Sequence, residues 1–185
     1  MLFRSFAESF DPERLWIGEI IREGDDVYSN WLKKTQSLSY TFKEQSEEML
    51  SEYKLNELFD CSKYLGIDIA PGPGVDLVCD AASWEPDDKY DLALCAEVFE
   101  HTRDWSLICL TAFKSLKKGG TFLGSCASTG RLPHSAVDGG TLREGEYYSN
   151  VSKNDMHLTL ESQGWSEVET FYNQECSDLY FKAIK

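Results

Sequence analysis

The chain is 185 residues long, with 42% hydrophobic and 13% aromatic residues. That suits one domain with a packed interior and excludes a disordered chain. Its 18 basic and 32 acidic residues leave a net charge of −14, which repels phosphate backbones and anionic lipid and so disfavours nucleic-acid and membrane partners.

The opening MLFRSFAESF is interrupted by Arg4 and Glu8, so it lacks the apolar stretch of ~7–15 residues that marks a secretory signal. No run approaches the ~20 apolar residues of a membrane span. Six cysteines, at 61, 79, 95, 109, 126 and 176, form no CxxC pair and no Cys/His cluster with zinc-ligand spacing. Cys79, Cys95 and Cys126 sit in apolar runs, as reduced core thiols do. The expected compartment is therefore the reducing cytoplasm.

Residues 1–60 are acidic and helical in pattern. Asp11-Pro12 starts a first helix, with Leu15, Trp16 and Ile20 at helical spacing, and Gly24 stops it. Asp26 to about Gln36 and Glu44 to Phe59 read as two more helices, and Leu38 to Phe42 alternates as a short strand.

From Lys63 the texture changes. Tyr64 to Ile69, Val75 to Cys79, Tyr90 to Ala96 and Thr121 to Cys126 are short apolar runs, as buried parallel strands are. Ala70-Pro71-Gly72-Pro73-Gly74 is a loop. A helix is expected from Trp105 to Leu116, closed by Lys117-Lys118-Gly119-Gly120 as cations followed by glycine. Residues 127–151 carry Gly130, Gly139, Gly140, Gly145 and Pro133 and form a long loop. Ser152 caps a helix to about Gln163, with Asp155 at its N3 position and Gly164 as the stop. Ser166 to Tyr172 and Leu179 to Ile184 alternate as a terminal hairpin.

This order predicts an α/β fold: a Rossmann-like, mostly parallel sheet with helices on both faces and a C-terminal antiparallel hairpin. Residues 1–185 form one domain, with a helical region over 1–60 and a core over 63–185. Ligands in such sheets sit beyond the C-terminal ends of the strands. Asp68, Asp80 and Glu97 end three successive strands and would share one rim.

The stretches YLGIDIAPGPGVDLVCDA, YDLALCAEVFEHT and LKKGGTFLGSCAS, in that order and spacing, resemble class I S-adenosylmethionine-dependent methyltransferases of the bacterial type. The segment RLPHSAVDGGTLREGEYYSNV is similar to the region after their fourth strand. The resemblance implies S-adenosylmethionine as cofactor. Asp68, followed by Ile69, would receive the ribose hydroxyls, and Asp80 with Ala81 the adenine. Cys95, Ala96 and Val98 would border the methionine part, with Phe99 beside them as an apolar wall. Glu97 and His101 are implied as the catalytic pair. In the 127–151 loop, Arg131, His134, Asp138, Tyr147 and Tyr148 are the candidate acceptor contacts.

Two features depart from the family pattern. Its first strand should end in a glycine-rich turn about 20–25 residues before Asp68, yet no glycine lies between Asp25 and Tyr64. Parallel neighbours also need a crossover of roughly a dozen residues or more, and the 70–74 loop is too short to hold a helix. The chain is thus expected to be either a methyltransferase for a small-molecule acceptor or a methyltransferase-like domain that has lost cofactor binding and acts as a binding or assembly module. It would be a monomer or homodimer that binds no metal.

Overall fold

The structure is a computed structural model that describes residues 2–4, 63–72, 74–137, 139–174 and 176–185, with only the backbone course for 2–4. The three helices expected within residues 11–59, the strand expected at 38–42, Cys61 and Asp138 lie outside the described residues.

Among the described residues, seven strands form one sheet: β1 (Leu2–Arg4), β2 (Gly66–Asp68), β3 (Leu77–Val78), β4 (Tyr90–Ala96), β5 (Leu116–Ala127), β6 (Ser166–Asn173) and β7 (Asp178–Ile184). Helix α1 (Trp105–Ser115) connects β4 to β5, and α2 (Lys153–Ser162) precedes β6. The spatial order is β3-β2-β1-β4-β5-β7-β6. The first five strands are parallel, and β7 runs antiparallel to both β5 and β6. The centre of the sheet, between β2 and β4, is held by Leu2–Arg4, with Leu2 beside Gly66 on one side and Leu94 on the other. Three residues carry no readable period, and no strand is expected there from the sequence.

The tight connection from β2 to β3 has a physical account. β2 is only three residues long, so the chain must travel back roughly 10 Å to start a parallel neighbour. The eight residues 69–76 can reach more than ~25 Å when extended. The loop is then clamped to the strand it leaves. Gly66 N donates to Asp76 Oδ2 at 2.8 Å, Asp76 N donates to Gly66 O at 2.9 Å, and Tyr64 OH donates to Gly74 O at 3.1 Å. A Cβ at Gly66 would lie 1.8 Å from Gly74 O, so only glycine permits this approach.

One expected boundary is corrected. Lys117-Lys118-Gly119-Gly120 is not a helix stop with cations in the last turn. The helix ends at Ser115, Leu116 is already extended (φ −89°, ψ 150°), and the four residues belong to β5. The pairing of β4 with β5 slips between Tyr90 and Leu92, and Gly119 takes φ +78° in this irregular stretch. Lys117 there forms an ion pair with Asp91 at 2.8 Å. Cations next to glycines suit an irregular strand edge as well as a helix end, and the composition alone does not separate them.

The two helices share one face of the sheet. Gln163, just after α2, donates to Ser106 O of α1 at 2.7 Å, and Trp165 meets Phe113 with ring centroids 5.0 Å apart. On α1 the buried residues Ile108, Cys109, Thr111, Ala112 and Ser115 recur at helical spacing. Between helices and sheet a row of rings runs Phe113–Trp165–Phe122–Phe181–Phe99, each pair 5.0–5.6 Å apart. Cys95, Cys109 and Cys126 are fully buried free thiols, while Cys79 is half-buried. Among the described residues no helix is long and apolar enough to cross a membrane.

The start of α2 follows its sequence. Ser152 Oγ accepts from Asp155 N at 3.1 Å and donates to the Asp155 carboxylate at 2.7 Å. A Ser152→Ala variant should lose about 1 kcal/mol of stability, read as a lower midpoint in urea denaturation with an unchanged m-value.

Candidate functional site

Because β2, β3 and β4 are parallel, their C-terminal ends open on one edge. Asp68 closes β2, Asp80 lies two residues past β3, and Glu97 directly follows β4. Asp68 pairs with Val78 across the β2–β3 ladder, and Arg4 pairs with Ala96 across β1 and β4. The three carboxylates expected on one rim are on one rim.

At its outer end the rim combines acid and apolar surface. Asp68 is buried, and its Oδ1 accepts from Ala70 N at 2.9 Å, which fixes the carboxylate's direction. Ile69 beside it is 78% exposed, and Val78 is exposed as well. Asp80 lies in the open; its Oδ1 accepts from Ala82 N at 2.9 Å over the buried Ala81. Two carboxylates that flank bare aliphatic side chains suit a ligand with hydroxyls, an amino group and a flat apolar face.

Past β4 the rim turns inward. Glu97 has φ +52°, a left-handed conformation that costs a non-glycine residue about 1–3 kcal/mol. Bonds to β5 hold it there: its N–H donates to Ser125 O at 3.0 Å, and its Oε1 accepts from Ser125 Oγ at 2.9 Å. Burial and the nearby Asp178 raise its pKa, opposed by Ser125 and Arg131.

Val98 leads into a 3₁₀ turn, Phe99–His101. Glu100 is fully buried, and its Oε1 accepts from Ala127 N at 3.1 Å. Burial and the adjoining Glu97 push its pKa well above the usual carboxylate range. The His101 ring is driven the other way, to about 4, by burial and by His134, against the pull of Glu146 and the Tyr147 backbone. His101 is therefore a neutral imidazole at physiological pH.

The 128–152 segment folds over this turn. Ser149 N donates to Glu100 O at 2.8 Å, and Val151 N donates to Ala127 O at 3.0 Å. The rings of His101, His134 and Tyr148 meet edge-on with centroids 4.9–5.5 Å apart. Burial raises the pKa of the Tyr148 phenol, whose oxygen has no partner. Glu146 braces the loop by accepting from Ser135 Oγ at 2.8 Å and Arg143 N at 2.7 Å.

The structure gathers His101, His134 and Tyr148 into one cluster, sets Glu97 against Ser125 and Glu100, and spends the other expected residues elsewhere. Arg131 forms an ion pair with the buried Asp178 and donates to Cys176 O at 3.1 Å, so its guanidinium ties the loop to the hairpin. The Tyr147 ring lies under the Arg103 guanidinium at 4.4 Å. Cys95 is fully buried and faces the core, Ala96 and Val98 are half-buried, and Phe99 stacks inside rather than forming an exposed wall. Sequence reasoning did not assign roles to Glu100, Ser125 or Asp178. Only the acid directly before His101, in the turn that follows a buried strand, was a readable signal.

Residues 44–171 match the family described as "Methyltransferase domain". None of the curated proteins matches the chain. Among solved structures, an S-adenosylmethionine-dependent methyltransferase from Mesorhizobium loti is 15% identical over 70% of this chain and 83% of its own, with a TM-score of 0.51. The DhpI–SAH complex is 16% identical over 66% and 65%, also with a TM-score of 0.51. The Burkholderia thailandensis 1,6-didemethyltoxoflavin-N1-methyltransferase, bound to 1,6-didemethyltoxoflavin and S-adenosylhomocysteine, is 14% identical over 65% of this chain, with a TM-score of 0.48. This chain spans 60% of that protein's length. At such identities the likeness is one of fold.

Proposed function

This chain belongs to the class I methyltransferase domain family, and we propose that it moves a methyl group from S-adenosylmethionine to a small-molecule acceptor. The observation that carries this reading is the outer rim: Asp68 and Asp80 at the ends of adjacent parallel strands, flanking the exposed Ile69 and Val78. These residues fit the adenosine half of the cofactor. Asp68 would accept from the ribose hydroxyls, Ile69 and Val78 would cover the purine face, and Asp80, with Ala81 beside it, would accept from the adenine amino group. Cys95 contributes only through the backbone of its strand end, with Ala96 and Val98 beside it on the methionine side.

When bound, the cofactor supplies an electrophilic methyl group on a sulfonium. The chain's own part is to position the acceptor, which can supply ~7–11 kcal/mol of the barrier. Glu97 and His101 are proposed to face the reacting atoms. Glu97, its pKa raised by burial, offers a carboxyl group already hydrogen-bonded to Ser125 Oγ, and the neutral His101 offers a lone pair. His134 and Tyr148 would close over the acceptor, with Arg131 and Tyr147 as supports that hold the loop in place. The charge of −14 sets that acceptor apart from nucleic acid and membrane. The five cysteines among the described residues are free thiols and suit a reducing compartment such as the cytoplasm.

A second reading, a domain that has lost its cofactor and serves as a binding module, is favoured by one observation. No glycine occurs among residues 5–17 after β1, or between Asp25 and Tyr64. Titration with S-adenosylhomocysteine decides between the two. The first reading expects calorimetric binding and, at a hundredfold excess over Kd, about 2.7 kcal/mol of added stability. Absence of both heat and thermal shift at millimolar ligand would leave only the second.

A further inference from the structure

We propose that Glu100, His101 and His134 form a binding site for a divalent transition-metal ion of the zinc or iron(II) class. One donor atom from each residue lies within 4.8 Å of the other two. Glu100 is fully buried; its Oε1 accepts from Ala127 N, and its carboxyl group shares a hydrogen bond with that of Glu97, whose proton an arriving cation would displace. His101 Nδ1 is likewise buried without a partner. A buried imidazole nitrogen without a partner, beside a buried carboxyl group and a second imidazole, is unusual in a folded interior, where nearly all such atoms are satisfied.

The outer contacts of the two imidazoles match those of metal-ligating histidines, which pass their second N–H to a backbone carbonyl or carboxylate. His134 Nδ1 lies 3.2 Å from Leu132 O, which leaves Nε2 for the ion. The His101 ring bonds the backbone of Tyr147, and since Nδ1 has no partner that bond belongs to Nε2, which leaves Nδ1 for the ion. Donors bound tetrahedrally at about 2.1 Å lie about 3.4 Å from one another. The site must therefore tighten by at most about 1.4 Å, a shift available to half-exposed His134 on its loop. Two imidazoles and one carboxylate select zinc or iron(II) over magnesium or calcium. Three protein donors also leave a position open, as catalytic metal sites do.

This inference goes beyond the methyl-transfer reading: it shares His101 and His134 with the proposed acceptor side and none of the cofactor-binding residues. The full chain, stripped with a chelator and dialysed, is titrated with Zn²⁺ in a calorimeter, and bound metal is then measured by mass spectrometry. One equivalent should bind. His134→Ala, an alteration on a surface loop, should weaken binding at least 100-fold while leaving the circular dichroism spectrum unchanged. His157→Ala should bind as the parent does, since that imidazole sits on α2 beside Glu161. Co²⁺ in place of Zn²⁺ should give visible d–d absorption in the parent and none in His134→Ala. No stoichiometric uptake, or uptake indifferent to His134→Ala, overturns the proposal and would mean that Glu100 is satisfied by the proton it shares with Glu97. S-adenosylhomocysteine titrated into the same protein separates the two readings: binding of that ligand without zinc uptake ends this proposal and leaves methyl transfer standing.

Discussion

A Gly124→Ala variant should lose about 3 kcal/mol of stability or more, which for a chain of this size lowers the melting temperature by roughly 6–12 °C. Gly124 lies mid-sheet, opposite Cys95 of β4 and Phe181 of β7. An added Cβ would stand 2.2 Å from Cys95 O and 2.4 Å from the Phe181 ring. The first of these is backbone and cannot rotate away, and the second belongs to the row of rings that fills the core. The β4–β5 ladder would have to part where it positions Glu97 and Ser125, so ligand binding should fall along with stability. Differential scanning calorimetry measures the first effect, and a loss below about 1 kcal/mol would show that the sheet relaxes around the methyl group.

Substitution of Asp68 carries the largest expected effect on function. Asp68→Asn keeps the side-chain volume and an oxygen to accept from Ala70 N, so the fold should survive, yet it surrenders the charge. Hydrogen bonds to a charged group contribute about 1.5–3 kcal/mol. S-adenosylhomocysteine affinity should therefore fall tenfold or more in the asparagine variant and about a hundredfold in Asp68→Ala. The ligand-induced rise in melting temperature should shrink in step. Equal affinity in parent and Asp68→Asn by isothermal titration would remove Asp68 from the ribose site and weaken the assignment of the whole rim.

These outcomes rest on parts of the structure that the sequence made legible to different degrees. Strand β4 was legible to the residue because a buried parallel strand is a continuous apolar run, and Tyr90–Ala96 ends at an acid. The cap at Ser152 and the terminal hairpin were legible because their signals are local: an Asp three residues on, and alternation of period two. Strand β1 was not, since three residues define no period and its partners lie more than sixty positions away. The Lys117–Gly120 stretch misled because its composition suits two structures, and pairing with β4 decided between them. At the site, strand-end carboxylates could be read from order alone. The contact of Glu100 with Ala127, and the meeting of His101 with His134, depend on how the 128–152 segment folds back, which no spacing encodes.

The helix-free return from β2 also shapes how the molecule meets its neighbours. It leaves β3, just two residues long, as one margin of the sheet. The opposite margin, β6, is broken between Ser166 and Glu169, where the exposed Glu167 turns to φ +48°. Among the described residues, neither border presents a long, flat and unbroken row of free amides and carbonyls on which a second chain might add a strand. Crowded copies are thereby kept from zipping together edge to edge, even though the inner sheet they hide is strongly apolar.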